Sequence, residues 1–173
     1  FLPPGLQCLS LGYLFNQKLQ KINVPKLKTL IVGEAFNETL EDLPPALENL
    51  TLGYRFNRKI HSTCLPETLK RLCFGFRFNQ DLKEIRFPTA PQDLTLGGIF
   101  NSPLKGRVFP DSLRSLTFGC RFNQTLALLE FPESLHTLTF GEDFDQSLEG
   151  VNLPKSLQSL RFGGCFNQPL QNL

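Results

Sequence analysis

The side chains best suited to chemistry are few and scattered. The two histidines, His61 and His136, have no Cys, Asp or His partner at metal-ligand spacing, so both read as surface residues. The five cysteines (Cys8, Cys64, Cys73, Cys120 and Cys165) are odd in number and form no C-x-x-C pair. They read as reduced thiols of an intracellular protein, with a single disulfide or one reactive thiol as the alternatives. No nucleophile motif, P-loop or dinucleotide fingerprint occurs. The acidic trio Glu142, Asp143 and Asp145 lacks the Gly-bounded, regularly spaced loop that Ca²⁺ favours. These residues therefore predict a protein that is not an enzyme and that needs no metal and no cofactor.

The residue types suited to recognition are better organised. Both tyrosines, Tyr13 and Tyr54, follow a glycine, and so does Phe76; arginines follow at Arg55, Arg77 and Arg121. Tyr and Arg are the residues enriched at interface hot spots. With Arg71 nearby, Tyr54, Arg55, Phe76 and Arg77 are expected to form one aromatic and basic patch, with Tyr13 and Arg121 at equivalent positions further along. Ordinary solvated turn residues, with their stems lying on neighbours, are the blander alternative. Charge is also segregated. Residues 54–86 hold eight Lys/Arg against three Asp/Glu, whereas residues 131–152 hold five acids and no Lys/Arg. Such opposite zones could orient a partner or dock arrays, although solvated charge explains them too.

Those positions are set by a repeat. Phe-Asn occurs at Phe15, Phe36, Phe56, Phe78, Phe100, Phe122 and Phe166, with Phe-Asp at Phe144, spaced by 21, 20 and then 22 residues. Aligned on that pair, the unit is [LVF]-P-x-x-L-x-x-L-x-[LFV]-G-x-x-F-N-Q-x-L-x-x-x-x. Its L-x-x-L-x-[LF] segment alternates apolar and polar residues at its end and predicts a short, half-buried strand with Leu69, Leu72 and Phe74, for example, facing in. The Gly behind it permits positive φ or close backbone approach. The Phe fills the interior. The following Asn sits at a corner, where stacked copies (Asn16, Asn37, Asn57, Asn79, Asn101, Asn123 and Asn167) form a hydrogen-bonded ladder, with Asp145 the exception. The Pro-bounded return leg is too short for more than a turn of helix and predicts extended or 3₁₀ backbone. The fold expected is mainly β, a solenoid of about eight 22-residue coils with one parallel sheet. Extended backbone on both sides makes its curvature milder than that of a helix-backed horseshoe. Pro91 stands where the other coils have Leu, so the fifth strand is expected to start late.

Strings such as L-P-K-S-L-Q-S-L-R-F-G-G-C-F-N-Q-P-L (153–170) and F-P-D-S-L-R-S-L-T-F-G-C-R-F-N-Q-T-L (109–126) resemble the FNIP repeat, a relative of the leucine-rich repeat. The resemblance covers essentially residues 1–173 and implies a right-handed, leucine-rich-repeat-like solenoid used for protein–protein binding. Members often carry an F-box or another domain beside the repeats, and none is legible in this chain. Because Phe1 and Leu173 fall inside the pattern, the array reads as a single domain, excerpted from a longer one or covered by a partner at each end.

The partner expected is another protein, reached through the strand face and the turns after the glycines. A structural subunit gripped at its solenoid ends is the second possibility. A net charge of +2 beside an acidic zone disfavours nucleic acid, and no apolar run is long enough to insert in a membrane. N-x-[ST] triplets at Asn37, Asn49 and Asn123 would suggest a secreted glycoprotein. Two of them occupy the ladder slot, where a glycan is expected to compete with structural hydrogen bonds, which favours an intracellular protein.

Overall fold

The computed structural model describes residues 2–19, 22–61 and 65–170, so Phe1, Cys64 and Leu173 lie outside it. Eight three-residue strands form one sheet: β1 (Cys8–Ser10), β2 (Thr29–Ile31), β3 (Asn49–Thr51), β4 (Arg71–Cys73), β5 (Asp93–Thr95), β6 (Ser115–Thr117), β7 (Thr137–Thr139) and β8 (Ser159–Arg161). They pair in chain order, and every pair is parallel. The central Leu of each strand faces the interior in register with its neighbours, while the two flanking residues are exposed or half-buried. The protein is a leucine-rich-repeat-like β-solenoid.

Each coil uses the same devices. The P-x-x-L segment is a turn closed by the Leu N–H donating to the Pro carbonyl, as from Leu69 to Pro66 and from Leu113 to Pro110. The second coil keeps the turn's length with Val24 in the Pro slot, and its shortening falls in the return legs: Val24 follows Phe15 by nine positions and Pro44 follows Phe36 by eight, against ten from Phe56 to Pro66. Its turn bond runs from Leu27 to Val24, which moves Pro25 inside the turn and leaves Thr29 in register with Asn49. Pro91 corrects one expectation. β5 does not start late, because Asp93 pairs with Arg71 in the common register. Proline lacks only an N–H, and the bond forfeited is the turn's own, two residues before the strand.

The core is two columns of rings and one of leucines. Successive Phe-Asn phenylalanines stack from Phe15 to Phe166 with centroids 6.0–6.3 Å apart. Nearer the sheet, Phe118, Phe140 and Phe162 stack at 5.2 and 5.5 Å. Parallel strands lie about 4.8 Å apart. The coils therefore fan outward from the sheet toward the Phe column, which puts the sheet on the concave side. Among the described residues no polar or charged side chain is buried, so any recognition happens on the surface.

The return legs carry a turn whose third residue takes positive φ at Gly106, Leu128 and Gly150, one coil apart. Where the fourth coil has Glu84 in that slot, the leg is a 3₁₀ turn, Leu82–Glu84, capped by the Asp81 carboxylate. There the Ile85 N–H donates to the Leu82 carbonyl. None of the described glycines that end strands has positive φ. They serve close approach instead: a Cβ on Gly75 would overlap the Gly53 carbonyl oxygen.

Candidate partner-binding surface

The corner beyond each strand is built by three ladders running along the solenoid. The backbone of the second residue after Gly donates to the coil before it, as from Arg55 to Glu34 and from Arg77 to Tyr54. The Asn at the corner offers its side-chain oxygen to the backbone N–H of the next coil's Asn. These bonds run from Asn37 to Asn16, Asn57 to Asn37, Asn79 to Asn57, Asn101 to Asn79 and Asn123 to Asn101, at 2.8–3.0 Å. The series continues through Asp145, whose N–H donates to Asn123 and whose carboxylate accepts from Asn167. The Gln behind the Asn adds a second bond to the same oxygen, as Gln124 does to Asn101. Gln168 does so to Asp145, and its bond, followed by that from the Asn167 N–H, holds the Asp145 carboxyl below the usual range.

An amide nitrogen donates and does not accept, so every Asn that accepts in the series uses Oδ1. The Nδ2 atoms of Asn37 and Asn123 take no part in it, and a glycan there would not compete for these bonds. The argument from glycan competition therefore falls, and with it that support for an intracellular protein.

Sequence reasoning missed one ladder. At the other end of the strand, Thr68, Ser112, Ser134 and Ser156 donate to carbonyls of the preceding coil at Leu47, Pro91, Leu113 and Leu135. The signal was a Ser or Thr two residues after the Pro in those four coils.

On this frame Tyr54 and Phe76 stack face to face, with centroids 4.9 Å apart and planes 2° from parallel. The far face of Phe76 rests on Gly98, where a Cβ would overlap the ring. The Arg77 guanidinium lies 5.8 Å from the Tyr54 ring centroid. Glu34 accepts from the Tyr54 N–H. Asn37, Tyr54, Arg55, Asn57, Phe76, Arg77 and Ile99 line one open depression of about 530 Å³. Tyr54 and Phe76 stay 43% and 40% exposed.

The other expected residues lie elsewhere. Arg71, on the outer face of β4, pairs with Asp93 at 2.7 Å and lines a separate depression on the strand face with Thr51 and Cys73. The expected single patch therefore divides, and Arg71 leaves it. Arg121 pairs with Asp143 at 3.3 Å, two coils past Arg77. Tyr13 is 70% exposed beside Leu14, separated from Tyr54 by the Glu34 coil. By contrast, Arg55 and Arg77 are exposed, and neither has an ion-pair partner among the described residues. Glu48 bridges Lys70 and Lys28 on the strand side and is held below its ordinary pKa by the Lys70 bond first.

Cys8, Cys73, Cys120 and Cys165 are unbridged. No cluster of three metal-ligating side chains and no membrane-length apolar helix occurs among the described residues.

The sequence profile of the FNIP Repeat matches residues 36–77, 56–99, 100–143, 122–165 and 144–173, well over half of the chain. This chain belongs to the FNIP repeat family. Among solved structures, this FNIP array is similar to CroV588, described as a novel circular LRR protein. The TM-score is 0.92 and the identity 40%, over 98% of this chain and 26% of that one. The array thus spans about a quarter of that protein's length. None of the curated proteins compared matches it. Solenoids of this leucine-rich-repeat-like kind are typically non-enzymatic and consistent with a scaffold.

Proposed function

We propose that this FNIP array is a non-enzymatic, intracellular scaffold that holds a partner protein at the corner formed by Tyr54, Arg55, Phe76 and Arg77. The observation that carries the reading is a stacked aromatic pair, left half-exposed beside two arginines without ion-pair partners among the described residues, on a frame held by ladders between successive coils. A rigid aromatic platform loses little conformational entropy on binding, which is what a hot spot needs. The test is affinity capture from extracts of the source cells. Wild type is compared with Tyr54→Ala/Arg55→Glu/Phe76→Ala/Arg77→Glu and with a control changed at Arg71 and Arg121. A partner held by wild type and the control but lost by the quadruple variant, with unchanged circular dichroism, supports the corner. Loss in neither variant removes it.

The fanning of the Phe column favours a second reading, in which the array is one curved part of a larger assembly. The circular architecture described for CroV588 is compatible with it. Here the protein would be recovered in a stable complex whatever the residues at the corner.

A further inference from the structure

We infer that the occupant of the Tyr54–Arg77 corner is an extended acidic segment of a partner protein, bound through its carboxylates. The inference rests on the proposed function and adds the chemistry of the ligand. Phe76 has Tyr54 on one face and the Gly98 backbone on the other, so this ring presents its edge rather than an open face. Ring edges carry the positive part of the aromatic quadrupole and attract anions, whereas stacking of a nucleobase needs an open face. Arg55 and Arg77 repeat one position on adjacent coils, side by side along the groove, and neither is ion-paired among the described residues. The groove's amides point the same way: Asn37 and Asn57 spend their oxygens on the ladder, which leaves Nδ2 donors facing outward. The acid beside the groove, Glu34, is occupied by the Tyr54 N–H, and the two guanidiniums outnumber it. An extended chain presents alternate side chains to one side, so acids at every second residue can reach both guanidiniums. The acidic coil at Glu142 and Asp143 repels a long polyanion lying along the same edge but leaves a short acidic segment free to bind.

The test is fluorescence anisotropy of the full chain with a labelled peptide of about eight residues alternating Glu and Leu. Its Gln–Leu counterpart and a short oligodeoxythymidine are the competing probes. The Glu peptide is expected to bind, to weaken steeply with salt, and to exceed the Gln peptide by about tenfold. Arg55→Gln/Arg77→Gln should lower its affinity by about tenfold, while Arg71→Gln/Arg121→Gln, whose cations are already paired, should change it by less than about twofold. Equal binding of the Gln peptide, tighter binding of the oligonucleotide, or equal loss in both double variants overturns the inference. So does concentration-dependent self-association abolished by the Arg55/Arg77 change, which would make the acidic coil of a second copy the occupant. If the Glu peptide fails while partner capture still depends on Arg55 and Arg77, the acidic ligand is wrong and the corner stands. If both fail, the corner falls as well.

Discussion

The corners of the third and fourth coils and of the sixth and seventh coils share one backbone and differ in the side chains stacked on it. In the first, Arg55 and Arg77 have no ion-pair partner among the described residues, and Arg77 lies over the Tyr54 ring; in the second, Arg121 faces Asp143 and is neutralised within the chain. The same position in the repeat thus gives a cation reserved for a ligand or a cation spent on its neighbour, depending on the residue one coil further on. Geometry comes from the repeat, and chemistry comes from what is stacked along a column.

The comparison is broken most severely by removing what the two corners share. Phe78→Ala takes a fully buried ring from between Phe56 and Phe100. It should cost about 3–5 kcal/mol in denaturant unfolding. Gly75→Ala forces a Cβ into the Gly53 carbonyl and should cost about 1–3 kcal/mol, whereas Gly12→Ala, with nothing near its Cβ, should stay within about 0.5 kcal/mol.

Exchanging the two corners sharpens it. Ile99→Asp places a carboxylate one coil beyond Arg77, the offset at which Asp143 follows Arg121. It should lower the affinity for the acidic peptide by up to about tenfold while moving stability by less than about 1 kcal/mol. Asp143→Asn should give the sixth coil a free cation and a weak new affinity for that peptide in the same titration.

A smaller effect comes from the one irregular rung. The Asp145 carboxyl is held below its ordinary range by Gln168 and then by the Asn167 N–H. Its folded pKa is thus below the unfolded one, so its contribution is full at neutral pH and is lost as pH falls through the folded value. In acid titrations of thermal stability, Asp145→Asn should remove that acid-side loss and leave neutral stability unchanged. The smallest effect is kinetic. Burial raises the Cys73 thiol, so peptide mapping after brief alkylation should find Cys120 and Cys165 modified well before Cys73.

Much of the fold was legible because a fixed period copies one solution eight times. Leu72 inside, Gly behind the strand and Phe stacked on Phe all follow from which residue types recur at which slot. Pro91 misled because its cost was assigned to the strand, when the N–H it lacks belongs to the preceding turn. The site was only half legible. The clustering of Tyr54, Arg55, Phe76 and Arg77 follows from column arithmetic. That Arg71 pairs with Asp93 and Arg121 with Asp143 depends on side-chain reach between coils, which spacing alone does not give. The resting place that Gly98 makes for Phe76 was hidden for the same reason.

The most direct test of the account is hydrogen–deuterium exchange of the full chain with and without its captured partner. The account predicts added protection over residues 54–58 and 76–80, with residues 120–124 and 142–146 unchanged. Protection confined to the strand face or to the first and last coils would contradict it.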